Sequence, residues 1–263
     1  MKIVTLLENT AVDGSFAAEH GLSLYIETGD HKILFDAGQT DALAANAEKL
    51  DIDLGAVDLA VLSHGHYDHG GGLSAFLERN STATVYLRQE AFGPHYNARG
   101  KYIGLDPALA KNPRLVFARD GQILAEGISL HACNDRERPY YGDNFGLTVL
   151  EDGEYRPDSF CHEHYLLIEE AGKKYLFSGC SHKGILNIAA WFRPDVLVGG
   201  FHFKSLDPVR DRVFLTDAAQ KLLELPTVYY TGHCTGQEQY AVMKEVMGNR
   251  LHSLHAGQVL EMG

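Results

Sequence analysis

Six consecutive residues, His64, Gly65, His66, Tyr67, Asp68 and His69, put three imidazoles and a carboxylate into one short stretch. Imidazole nitrogens and carboxylate oxygens are the donors that intermediate divalent metals prefer, so four of them this close together point at one small metal-binding volume. Glycine at 65 and the run Gly70, Gly71 and Gly72 would let the backbone bend around that volume without steric penalty. The layout recurs along the chain. Four apolar runs end in small residues followed by a candidate ligand: 59–62 leads to His64, 175–177 to Cys180 and His182, 196–198 to His202, and 228–230 to His233. A histidine-rich surface turn at 64–69, or histidines merely satisfied inside a core, would leave the other three endings unexplained.

These runs read as strands of an α/β protein. Strands of a layered α/β fold bring their carboxyl ends together, so the loops leaving them converge on one crevice and residues far apart in sequence can meet there. The first half is expected to hold strands at 2–7, 22–27 and 31–35, with a turn at Thr28, Gly29 and Asp30. A helix over 42–50, with Thr40 as N-cap, precedes the strand that delivers His64. A helix at 73–79 and a strand at 83–87 follow. Residues 88–119 carry Pro94, Pro107 and Pro113 without a clean period and read as a lid or insertion. The second half alternates strands at 165–169, 174–177, 196–198 and 228–230 with helices at 185–192, 217–225 and 238–247. With no repeat or low-complexity tract, one domain over 1–263 is the expectation.

The run HGHYDH at 64–69 resembles the HxHxDH signature of the metallo-beta-lactamase superfamily. The resemblance implies an αββα sandwich, two mixed sheets flanked by helices, with the metal site at one edge. It also implies that His64 and His66 bind one ion and that Asp68 and His69 bind a second. A wider likeness spans most of the chain. Glu19-His20-Gly21-Leu22-Ser23, SGCSHKGILN at 178–187, GGFHF at 199–203 and TGHCTG at 231–236 resemble the 7,8-dihydropterin-6-yl-methyl-4-(beta-D-ribofuranosyl)aminobenzene-5'-phosphate synthase-like subgroup. That subgroup's name implies a pterin and a sugar-phosphate aromatic amine as substrates.

The sequence departs from the general superfamily in lacking the usual GHTxG-like third-ligand segment, and Cys180 stands where many members have a bridging aspartate. His182 is therefore expected to complete the first metal site and His233 the second. Cys180 is read as a small buried residue ahead of the alternative, a thiolate ligand to zinc. Cys180, His202, Glu19 and His20 are candidates for substrate contact or for supporting the ligands. Glu163, His162 and His164 are expected to be solvated bystanders, and His31, His252 and His255 to face solvent.

Such a site implies one or two divalent ions, zinc first, with iron or manganese as alternatives. A water between two ions loses its proton near neutral pH, because the metal lowers its pKa from roughly 16 to about 7. Attack on a phosphoryl or carbonyl centre would follow, with Asp68 as the catalytic residue that orients the water. In a synthase, the ions would instead neutralise a leaving group. The expected function is a metal-dependent hydrolase or transferase acting on an anionic small molecule, phosphorylated and in a pterin-related class. Arg136, Arg138 and Lys183, and in the lid Arg88, His95, Arg99 and Lys101, are candidate anion contacts. Two rivals are a di-iron oxidoreductase of the flavodiiron type, which would need a fused domain that 263 residues leave no room for, and a non-enzymatic metal-binding sensor.

Composition narrows the partners. With 35 acidic against 23 basic residues the formal charge is -12, which repels nucleic-acid backbones and anionic membrane surfaces. The opening MKIVTLLENT turns polar too soon for a signal peptide, and no apolar run approaches the ~20 residues needed to span a bilayer. Cys133, Cys161, Cys180 and Cys234 show no CxxC spacing. A cytoplasmic protein with reduced thiols is the expectation.

Overall fold

The computed structural model describes residues 1–140 and 145–262. Two seven-stranded sheets lie face to face among the described residues. The first sheet runs, edge to edge, through Val259–Glu261, Lys2–Leu7, Ser23–Glu27, Lys32–Phe35, Leu59–Val61, Thr84–Leu87 and Leu115–Phe117. The second runs through Leu251–Ser253, Val228–Thr231, Val196–Val198, Lys173–Phe177, Tyr165–Glu170, Ile128–His131 and Gln122–Ala125. Each sheet is mixed. Lys32–Phe35 through Leu115–Phe117 pair in parallel, as do Lys173–Phe177 through Leu251–Ser253, while the other neighbours pair antiparallel.

Three apolar clusters hold these layers. Between the sheets, Ile26, Phe35 and Val61 of one pack with Leu130, Leu166 and Phe177 of the other, and the Phe35 and Phe177 rings lie 5.8 Å apart. The outer face of the first sheet is covered by helices Ala42–Lys49 and Leu73–Arg79 through Leu43, Ala47, Leu73 and Phe76. The outer face of the second is covered by Ile185–Phe192, Arg212–Leu223 and Gln237–Met247 through Ile188, Leu215 and Met243. The result is the αββα sandwich expected from the sequence. Strands buried on both faces read as near-continuous apolar runs, which is why IVTLL and VLV were recognisable.

Several elements were not legible. A three-stranded sheet of Glu154–Pro157, Thr148–Glu151 and His95–Tyr96 stands beside the cleft. Its strands Thr148–Glu151 and Glu154–Pro157 are half-buried or exposed and lack a clean apolar alternation, and His95–Tyr96 is only two residues long. The stretch 88–119 is divided: Leu115–Phe117 joins the first sheet beside Thr84–Leu87, while Asn97, Ala98, Arg99 and Ile103 line the cleft. The helix expected at 217–225 spans Arg212–Leu223 instead; its first turn sets exposed Val213 beside buried Leu215, which blurs the one-sided apolar pattern. Among the described residues no helix is long and apolar enough to cross a membrane.

Candidate metal centre

The parallel strands deliver their carboxyl ends to one edge of the sandwich. Val61 leads to Ser63 and His64, Phe177 to Cys180 and His182, Val198 to His202, and Thr231 to His233. His66 precedes a single helical turn, Tyr67–Gly70, that carries Asp68 and His69. Gly65, Gly71 and Gly72 serve this turn in a way different from the flexible bend expected, since none of them has positive φ. A Cβ on Gly65 would strike the Ala91 backbone, and one on Gly72 would strike the carbonyls of Ala37 and Thr40. Glycine is required here for close backbone approach.

The first group of donors is His64, His66 and His182, with ligand atoms within 4.8 Å of one another. All three Nε2 atoms are buried and have no hydrogen-bond partner among the described residues. Their outer nitrogens explain why the lone pairs are free. The Ser63 hydroxyl donates to Asp36 at 2.7 Å, so His64 Nδ1 donates to Ser63 Oγ at 2.8 Å. His182 Nδ1 donates to Glu163 Oε2 at 2.8 Å. In both rings the proton sits on Nδ1, leaving Nε2 an acceptor aimed inward. Burial first, then the neighbouring imidazoles, hold His64 and His66 well below the usual histidine range. They are neutral, the state in which imidazole binds metal.

The second group is Asp68, His69 and His233, with His20 and Cys180 at its margin. His69 Nε2 lies 3.1 Å from both His233 Nε2 and Cys180 Sγ, and Asp68 Oδ2 lies 3.3 Å from the Nε2 atoms of His233 and His20. His69 Nδ1 is tied to Asp36 at 2.6 Å and His233 Nδ1 to Asn9 Oδ1 at 3.1 Å. Two imidazole Nε2 atoms facing each other must share either a proton or a cation. Burial opposes charge on His69, but Asp36 outweighs it and raises its pKa, so without an ion the ring holds that proton. Burial likewise pushes Asp68 up, and the hydrogen bond and charge of His233, with His69, overcome it and hold the carboxyl well below its usual range. Burial and the adjacent Cys234 push the Cys180 thiol well above its ordinary range.

The backbone is forced at this edge. Asp36, Ser181, His202 and His233 all have left-handed φ, between 49° and 59°. Each such residue costs of order 1–3 kcal/mol and persists only where its surroundings impose it.

The remaining candidates separate cleanly. His20, His66, Asp68, His182 and His233 line a cleft of about 520 Å³ together with Cys180, His202, Arg99 and Lys204. Glu19 turns from it, accepting the amides of Gln39 and Thr40 at 2.9 Å. Lys183 is buried, and its ammonium donates to the carbonyls of Ala132 and Glu163, so it is no anion contact. Arg136 reaches the Trp191 carbonyl, Arg138 the Ser159 carbonyl and Arg88 the Ala118 carbonyl, all elsewhere. Lys101 sits over the Tyr67 ring, 5.2 Å from its centroid. His31, His252 and His255 are half-buried: His31 Nδ1 lies 3.7 Å from Asp58, His252 stacks on Tyr230, and His255 contacts Thr10 and Ser253.

Three expected bystanders prove to be interior. Glu163 is fully buried and accepts from His182 N and Nδ1 and from Tyr165 Oη; burial raises its pKa, but His182 and then Lys183 bring it down to about 2. His164 Nε2 donates to the Leu62 carbonyl. His162 accepts the Gly65 amide at Nδ1 and contacts Asp158 through Nε2, and Asp158 also holds His95 at 2.8 Å. His95, Asp158 and His162 thus form a polar wall behind His66. The sequence signals for these supports were thin. Asp36 stands at the carboxyl end of a strand, and Glu163 lies between two histidines, positions that a solvated loop fills equally well.

Comparison with known proteins agrees with this fold. The sequence profile of the metallo-beta-lactamase superfamily matches residues 18–233. A 7,8-dihydropterin-6-methyl-4-(beta-D-ribofuranosyl)-aminobenzene-5'-phosphate synthase of Methanocaldococcus jannaschii is 29% identical over 99% of this chain and 96% of its own length. A solved structure described as a metal-dependent hydrolase of the beta-lactamase superfamily, Tm1679, superposes with a TM-score of 0.84 at 29% identity, covering 100% of this chain and 99% of that one. Zn(2+)-bound PqqB from Methylobacterium extorquens, at 13% identity and a TM-score of 0.60 over 100% of both chains, shares the fold.

Proposed function

We propose that this chain, which belongs to the metallo-beta-lactamase superfamily, is a metal-dependent enzyme that holds two divalent ions and acts on an anionic, phosphorylated small molecule. The observation that carries the reading is the set of three unpartnered Nε2 atoms on His64, His66 and His182. A buried acceptor left unmade costs about 1–3 kcal/mol, so three converging on one point are costly unless a cation accepts them. Asp68, His69 and His233 would hold the second ion, in place of the proton that His69 and His233 otherwise share. Cys180 Sγ clusters with His64 and His69 on one side and with His233 and Cys234 on the other. It stands between the two positions, and we assign it as a thiolate donor there in preference to a small buried filler.

Ions so held supply a Lewis acid that polarises a phosphoryl oxygen, neutralises a leaving group and acidifies a water. The chain's own groups do the rest. Asp68 keeps its carboxylate ionised and faces the cleft, so Oδ2 can accept a hydrogen bond from a water or a substrate hydroxyl and orient it. His20, 43% exposed with Nε2 3.3 Å from Asp68 Oδ2, is held down to about 4 by burial and then by His233, so it lines the cleft as a neutral imidazole. Arg99 and Lys204 give the cleft positive charge for an anionic substrate in a chain that is negative as a whole. Zinc is the first choice of ion, because imidazole, carboxylate and thiolate donors together suit it.

The synthase named among the relatives and the hydrolase named among the structures divide the chemistry. The test is elemental analysis of purified protein, then a screen of phosphodiesters, phosphomonoesters and pterin diphosphates with and without an arylamine. About two equivalents of metal with release of phosphate or alcohol in water supports hydrolysis; product only when arylamine is present supports transfer. Metal-free protein that cannot be loaded with zinc, manganese or iron contradicts the proposal.

A further inference from the structure

The cleft does not end at the histidines. A second cavity of about 380 Å³ adjoins it, walled by Phe145, Phe201, Phe203, Leu206 and Phe214. Phe145, His182 and His202 line both spaces, so the two are ends of one depression. Their chemistry is opposite. The first end carries Arg99 and Lys204 beside Asp68, whereas among the described residues the second carries Asp211, which is ion-paired with Arg210 at 3.0 Å. An anionic group is drawn to the first, and the second, lined mainly by rings, offers it no cationic side chain among the described residues.

The second end is built around rings. Phe203 meets Phe214 at 5.8 Å and 86° and Phe201 at 6.2 Å and 73°, edge-on pairs that fix one another's orientation. His202 stands at the junction, its ring 4.3 Å from Phe145 and 4.5 Å from His182, on a left-handed backbone. Its Nδ1 is buried without a partner among the described residues. Ligand sites of small molecules range over roughly 300–1,000 Å³ and are lined by aromatic side chains with few polar groups, a description this cavity meets at its lower end. Its volume of about 380 Å³ has room for one or two fused rings.

We infer that the Phe201–Phe203–Phe214 cavity is a subsite for a flat aryl or heteroaryl group of the substrate, with His202 bounding it on the metal side and offering Nδ1 to a polar ring edge. The substrate would lie with its ring among the phenylalanines and its anionic group over the histidines. Only this joining of the two halves rests on the proposed metal function; the ring site itself does not need the ions.

The test uses 2-naphthol, a neutral fluorescent ring compound, and 2-naphthyl phosphate beside methyl phosphate, on the full chain. Wild type should bind 2-naphthol saturably both metal-loaded and metal-stripped. Leu206→Trp, which fills the cavity, should weaken that binding at least tenfold, and Phe214→Ala, at a partly exposed position that tolerates truncation, about three- to tenfold. Metal content should stay unchanged in both, and KM should rise for 2-naphthyl phosphate and not for methyl phosphate. Near-UV circular dichroism reports that each variant is folded. Absence of saturable 2-naphthol binding by wild type, or unchanged affinity in both folded variants, overturns the inference. Saturable, Leu206-dependent binding by a protein that takes up no metal would sustain the ring subsite and strike only the metal reading.

Discussion

The two donor groups in the cleft differ in what their nitrogens are left to do. In the His64, His66 and His182 group each Nε2 is buried and unpartnered, its outer nitrogen anchored where a partner is seen. In the Asp68, His69 and His233 group the donors touch one another at 3.1 to 3.3 Å and can share a proton. A proton competes with the cation at the second position and has no comparable place at the first. The first ion should therefore bind more tightly and resist acid longer, and the second should leave first as pH falls.

The largest effect that could break this contrast is loss of the first group. His182→Ala or His64→Ala should abolish binding of the tighter ion and lower turnover by about a hundred- to a thousandfold or more, the scale of removing a transition-state electrostatic group. Metal titration with steady-state kinetics on each variant measures both. Tight binding retained in both would mean that the orphaned nitrogens do not hold the ion.

The carboxylates behind the rings should then separate the two positions. Glu163 orients His182, and Asp36 orients His69 and, through Ser63, His64. Glu163→Gln should weaken the tighter ion about 10- to 100-fold, the usual range when such a partner is removed, and leave the second largely alone. Asp36→Asn should weaken both. Competition against a chelator of known affinity distinguishes these patterns, and identical effects of the two variants would blur the contrast.

A smaller effect is expected at Cys180. With cobalt in place of the native ions, wild type should show a near-ultraviolet sulfur-to-cobalt band, and Cys180→Ser should lose the band while keeping both equivalents. A band that survives in the variant would assign the sulfur to Cys234 instead.

The smallest effect concerns stability outside either group. Burial holds His164 down to about 3 in the folded chain, against about 6.5 unfolded. Below pH 6.5 the unfolded chain takes up a proton that the folded chain refuses, so this residue lowers stability progressively from pH 6.5 to about 3 and contributes nothing above. The slope is at most about 1.4 kcal/mol per pH unit for one site. His164→Gln, whose amide can still donate to the Leu62 carbonyl, should flatten the fall in Tm between pH 6.5 and 4 in metal-stripped protein. An unchanged slope would place the acid sensitivity in the two donor groups alone.

Much of this arrangement was readable from residue order, because strands buried on both faces are apolar runs and a ligand that must meet others has to stand at a strand's carboxyl end. His64, His182, His202 and His233 follow that rule, and so does the convergence of the first three motifs. The supports escaped for the opposite reason. Glu163 and His164 occupy a loop whose composition is that of a solvated turn, and only its packing against Leu62 and Ser63 on one side and His182 on the other buries them. Lys183 was misread because its charge stands beside a ligand in sequence, while its stem runs back under the loop to backbone carbonyls. The aromatic cavity draws on Phe145, Phe201, Phe203 and Phe214, which no sequence period links.

The most direct measurement is metal stoichiometry by elemental analysis on wild type, His182→Ala and Asp68→Ala, each loaded with excess zinc and then dialysed. The expected result is about two equivalents in wild type, loss of the tightly held ion in His182→Ala, and about one tightly held equivalent in Asp68→Ala. Two equivalents retained in both variants, or none in wild type, would contradict the convergence of these side chains on divalent cations.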